Sequence, residues 1–152
     1  MKPEDLYHTG IVVEDFEAAL RWFNDVAGYC WCDELTIDQD VWTPAGERPV
    51  SIRFAYSMSE PHLEVIEALP GTVWVPTSSG AHHLGFWSDD VDRDIEKLVA
   101  NGLHVEVKAP TPDGSTLWAY CHGPSGPRIE LVSRSLEPMM VKWFATGRSP
   151  FG

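Results

Sequence analysis

At 152 residues the chain has room for one ordinary domain with its own core, and 43% hydrophobic against 22% charged residues excludes the disordered and collagen-like classes. A net charge of −12, with the eleven Lys and Arg residues scattered, excludes a nucleic-acid footprint because phosphates would be repelled. The opening MKPEDLYHTG has no apolar leader and no stretch approaches the roughly 18 apolar residues of a membrane span, so a cytoplasmic protein is expected.

In chain order, HTGIVVED (8–15) reads as a short apolar strand ending at Asp15, a natural N-cap. Phe16, Ala19, Leu20 and Phe23 then follow a helical period that Gly28 closes. TIDQDVW, SIRFAYS and HLEVIEA have strand character, with TPAGERP as a turn. LPGTVWVPTSSGA (69–81) reads as a linker.

HLGFWSDD (83–90) then repeats the first segment at a shift of 75, so that His8, Gly10 and Asp15 recur as His83, Gly85 and Asp90. Val91, Ile95, Leu98 and Val99 form the second helical stripe, Gly102 ends it, and HVEVKA, STLWAYC and RIELVS supply three more strands. The tail from Leu136 to Thr146, with Met139, Met140, Val141, Trp143 and Phe144, predicts a short helix covering either a sheet edge or a partner subunit. Cys30, Cys32 and Cys121 are too few for a disulfide framework, and Cys30 and Cys32 read as packed thiols.

Each half therefore reads strand, helix, then three strands, and a half of about 70 residues hardly buries its own sheet face. The expectation is an α+β fold in one domain, 1–152. Residues 1–72 and 80–135 form tandem βαβββ modules, 136–152 form the tail, and the sheets combine into a curved mixed surface around a metal-binding cavity.

LEVI (63–66) matches IELV (129–132) and aligns Glu64 with Glu130, each a carboxylate inside an apolar run. Such a group is costly to bury unless it is paired, protonated or bound to a metal, and here it occurs twice in register. If a pseudo-twofold relates the modules, His8, Glu64, His83 and Glu130 converge on one divalent ion. Nitrogen and oxygen donors suit Zn, Ni, Co, Mn or Fe without choosing among them. His82 is the rival to His83, and the register with His8 favours His83. His62 and His122 have no counterpart in the other half and read as surface residues.

HTGIVVED, HLEVIEALPG, HHLGFWSDDVD and GPSGPRIELV together resemble the metal strands of the vicinal oxygen chelate superfamily, which includes glyoxalase I, methylmalonyl-CoA epimerases, bleomycin-resistance proteins and extradiol dioxygenases. Gly123 stands where the closing turn usually has Asp. The resemblance implies paired βαβββ modules, a cytoplasmic homodimer and a small-molecule substrate, with no nucleic-acid or membrane partner. With a fourth ligand at Glu64, it implies an isomerase, epimerase or glyoxalase-type lyase acting through an enediolate. Glu47, in ERPV, resembles the catalytic glutamate segment of the epimerases and is the first candidate base; otherwise Glu64 or Glu130 leaves the metal to act as base. Trp87 and Trp118 are expected to line a substrate pocket, and seven tryptophans favour an apolar or aromatic substrate. The alternatives are an Fe(II) extradiol dioxygenase using His8, His83 and Glu130, or a metal-independent drug-binding protein of the bleomycin-resistance type.

Overall fold

In a computed structural model, which describes residues 1–151, the first half runs β1 (Leu6–Val13), α1 (Phe16–Ala27), β2 (Leu35–Thr43), β3 (Gly46–Tyr56) and β4 (Leu63–Glu67). The second runs β5 (His83–Ser88), α2 (Val91–Ala100), β6 (His104–Pro110), β7 (Thr116–His122) and β8 (Arg128–Ser133), and α3 (Glu137–Thr146) follows. The expected α+β architecture of two βαβββ units is present. Both helices begin where the sequence placed their caps: the Asp15 carboxylate accepts from the Ala18 N–H and Asp90 from the Arg93 N–H. Gly28 ends α1 in the left-handed region, with φ 74°.

The eight strands close into a barrel in the order β1-β4-β3-β2-β6-β7-β8-β5. Within each half the first and last strands pair in parallel, β1 with β4 and β5 with β8. The halves join at two seams. Antiparallel β1 and β5 form one, and β2 with β6, bridged at Trp42 and Lys108, forms the other. Closure gives every strand a neighbour on both sides, with the β2–β6 seam the least paired.

Alternation along the strands divides the apolar residues between two layers. Val65 with Ala55 packs outward against Phe16, Leu20 and Phe23 of α1, and Leu131 with Ala119 packs against Val91, Ile95 and Leu98 of α2. Glu64 and Glu130 are the next residues along and so point inward. A strand covered on both faces reads as a continuous apolar run, which is why a carboxylate stands out within it.

Residues 69–81 do more than connect the halves: Trp74 is 2% exposed and packs inside the barrel with Val12, Ile66 and Tyr120. α3 covers the barrel interior rather than a sheet edge, burying Met140, Trp143 and Phe144 against Tyr56, Cys32 and Val132. Each of those three side chains contributes roughly 1.5–3 kcal/mol on burial. His62 departs from the surface position expected of it: it is half-buried, stacks on Phe144 at 4.1 Å and hydrogen-bonds the Ser57 carbonyl. Among the cysteines only Cys32 and Cys121 are packed; Cys30 is exposed. Among the described residues no helix is long and apolar enough to cross a membrane.

Candidate metal centre

The register of the four central strands assembles the site. Across the β1–β5 seam His8 lies opposite Gly85 and Gly10 opposite His83. In the parallel pairs Gly10 lies opposite Glu64 and Gly85 opposite Glu130. Each glutamate thus reaches the histidine of the other half across an intervening glycine, and same-face neighbours on adjacent strands are close enough to touch. Side-chain space is the reason for glycine: a Cβ at Gly10 would overlap the His83 ring, and one at Gly85 would overlap the His8 ring.

The four side chains are buried, with His8 at 2%, His83 at 0% and both glutamates at 6% exposure. Their donor atoms all lie within 4.8 Å of one another. His8 Nε2 stands 2.9 Å from His83 Nε2, 3.4 Å from Glu64 Oε2 and 3.1 Å from Glu130 Oε2. His83 Nε2 is 3.0 Å from Glu64 Oε2 and 3.4 Å from Glu130 Oε2. Donors about 2.0–2.2 Å from a shared ion stand about 2.8–3.5 Å apart, so these separations fit. Neither carboxylate Oε2 has a protein partner besides these two imidazoles. Two buried carboxylates converging on one point need positive charge between them, and two imidazoles with two carboxylates are a donor set that fits a divalent metal.

Burial opposes charge on His8, but the Glu130 and Glu64 carboxylates outweigh it and raise its pKa to about 9. Burial pushes the Glu64 carboxyl upward, and the two imidazoles more than reverse this, holding it well below the carboxylate range.

The two imidazoles differ in what stands behind them. His82 Nε2 lies 2.7 Å from the Val73 carbonyl and its Nδ1 lies 3.0 Å from His83 Nδ1. A carbonyl only accepts, so His82 carries its hydrogen on Nε2. Burial lowers its pKa to about 4, so its Nδ1 is bare and accepts from His83 Nδ1–H. That contact orients the His83 ring with Nε2 toward the cluster. His8 Nδ1 is buried without a partner, and its ring is held edge-on by Tyr7 and Tyr56.

Glu64 and Glu130 also border a cavity of about 230 Å³ inside the barrel, walled by side chains that include Phe54, Trp118, Tyr120 and Trp143. Residues 7–122 match the sequence profile of the Glyoxalase/Bleomycin resistance protein/Dioxygenase superfamily. The chain belongs to that superfamily.

Among the relatives of this superfamily member, the uncharacterized protein YwbC of Bacillus subtilis (strain 168) is 26% identical over 129 residues, 84% of this chain and 95% of its own. A methylmalonyl-CoA epimerase in complex with methylmalonyl-CoA and NH4+ aligns over 85% of this chain and 93% of its own, at 20% identity and TM-score 0.57. The Mycobacterium tuberculosis methylmalonyl-CoA epimerase covers 85% and 87%, at 19% identity and TM-score 0.53. A mutant 4-hydroxymandelate synthase from Streptomyces coelicolor aligns over 88% of this chain and 39% of its own, at 23% identity and TM-score 0.54. At these identities the likeness shows the shared fold.

Trp118 lies on the cavity wall, and two other sequence candidates do not. Glu47 is exposed near the tip of the β2–β3 hairpin, opposite Trp42, and shares the outward parity of Arg53 and Ala55. The strands run through the segment read as a turn, and their register fixes that parity. Trp87 stacks flat on Tyr7 at 3.8 Å, and Tyr7 reaches the cavity in its place.

Sequence reasoning missed three tyrosines. Tyr7 is the extra residue where the β1–β5 register shifts between Leu6 and His8, and this bulge lets adjacent Tyr7 and His8 both face inward. Tyr56 lies opposite Glu64 and Tyr120 opposite Glu130. The signal was present as Phe54-Ala55-Tyr56 against Trp118-Ala119-Tyr120, the same pattern in both halves.

Proposed function

We propose that the chain is a metal-dependent enzyme of the isomerase, epimerase or glyoxalase-type lyase kind, moving a proton next to a carbonyl of a small molecule in the cytoplasm. The observation that carries this is the buried two-histidine, two-glutamate cluster whose glutamates border an apolar-walled cavity. His8, Glu64, His83 and Glu130 would hold one Zn, Ni, Co, Mn or Fe ion. When bound, such an ion polarises a carbonyl oxygen and acidifies the neighbouring C–H.

With Glu47 outside the barrel, the base falls to Glu64 or Glu130, the two carboxylates on the cavity wall. Taking the proton internally keeps the total charge of the closed site constant through the step. Tyr56 and Tyr120 stay protonated, because burial first and the Glu64 and Glu130 charges second push their pKa values well above 10. The Trp74 Nε1–H donates to the Tyr120 hydroxyl at 3.2 Å, which leaves that O–H free to donate to oxygen charge developing on a substrate.

A second reading, an Fe(II) extradiol dioxygenase on His8, His83 and Glu130, draws support from the aromatic walls. Glu64 as a fourth donor disfavours it, since those enzymes keep more positions open around a triad. Ion-loaded protein is to be incubated with 2-hydroxyacetophenone in D2O under air. Deuterium entering next to the carbonyl supports proton transfer, whereas oxygen uptake with a catechol after Fe(II) loading would support the dioxygenase instead.

A further inference from the structure

The walls of the cavity constrain the charge of its occupant. Apart from Gln39, Glu64 and Glu130, every residue on them is apolar or aromatic, and no lysine, arginine or histidine is among them. The half-buried arginines are engaged elsewhere. Arg53 pairs with Glu17 and Glu34, Arg128 with Glu106, and Arg134 with Asp5 and Asp89. None of the three reaches the cavity wall.

The centre itself offers no compensating charge either. Two carboxylates and two neutral imidazoles exactly offset a divalent ion, so the loaded site carries no net charge. A carboxylate or phosphate entering it would then stand as an uncompensated anion in an apolar enclosure, within a chain of net charge −12. An apolar cavity of about 150 Å³ holds benzene, so about 230 Å³ has room for at least one ring with a short substituent.

We infer that the substrate is an uncharged, largely apolar molecule, and that substrates with an ionised group beside the reacting carbon are rejected. Gln39, Tyr56 and Tyr120 supply neutral hydrogen-bonding groups for its polar atoms. A malonyl-type acyl group, with its carboxylate, falls in the rejected class. The inference rests on the metal-centre reading for the charge count alone; the composition of the walls stands without it.

The test uses matched probes that share a phenyl ketone: 2-hydroxyacetophenone, anionic phenylglyoxylate, and its neutral methyl ester. Trp74, Trp118 and Trp143 on the wall report binding by fluorescence, in zinc-loaded and in metal-free protein. Both neutral probes should bind at least about tenfold more tightly than phenylglyoxylate, with or without the ion. In Gln39→Arg, a cation on the wall should narrow that preference about tenfold. Phenylglyoxylate binding as well as its methyl ester, or no probe binding at millimolar concentration, overturns the inference. A preserved neutral preference in protein that takes up no zinc would leave the inference standing and sink the metal reading instead.

Discussion

The two halves place equivalent ligands but support them differently. In the second half, His83 is oriented by His82, which is anchored on the Val73 carbonyl, and Tyr120 is held by the Trp74 indole. In the first, His8 has no partner on Nδ1 and is fixed by aromatic edges. Both anchors of the second half come from the segment joining the modules. A repeat therefore dictates where the four candidate donors stand, while the outer support of the second half depends on a segment that is not repeated.

The symmetric part of this comparison carries the largest expected effects. Gly10→Ala and Gly85→Ala each drive a methyl into the opposite imidazole, so both should abolish ion uptake and cost about 1–3 kcal/mol of stability. Denaturant unfolding and metal content check this, and tolerance of either change would break the pseudo-twofold account. Glu64→Gln and Glu130→Gln should each weaken zinc affinity by more than about 100-fold, beyond the range of outer-shell partners. A competitive chelator titration measures it, and an effect confined to one of them would show that the centre is a triad.

The asymmetric part predicts smaller changes. His82→Ala should weaken zinc binding about 10–100-fold, whereas Tyr56→Phe, which keeps the ring against His8, should leave it unchanged. Equal effects would remove the distinction between the halves. Smallest is a pH dependence set by His8. Its folded pKa of about 9 lies above the ordinary histidine value of 6.5, so in metal-free protein it is protonated at pH 7 and an entering ion must displace that proton. Zinc affinity should therefore rise from pH 6 and level off above about 9, with about one proton released at pH 7. Calorimetry in buffers of different ionisation enthalpy reads the proton directly. By the same linkage, the contribution of His8 to metal-free stability is complete below 6.5 and lost as pH rises through about 9.

The fold and the meeting of His8, Glu64, His83 and Glu130 were legible because both depend on periodic features. The shift of 75 exposed the repeat, the N-caps at Asp15 and Asp90 marked both helices, and a carboxylate inside an apolar strand stood out twice. The outer layer was less legible because it depends on register and on non-repeated chain. Nothing local shows that the strands of the β2–β3 hairpin extend through TPAGERP and turn Glu47 outward. A bulge at Tyr7 displaces Trp87 from the wall, and His82 gains its role only once Val73 is folded against it.

Anomalous diffraction from a crystal of the zinc-loaded protein, collected at the zinc edge, tests the central claim most directly. One peak per chain is expected, about 2.0–2.2 Å from His8 Nε2, His83 Nε2 and a carboxylate oxygen of both Glu64 and Glu130. A peak lying elsewhere, or none between these four side chains at full zinc loading, would contradict it.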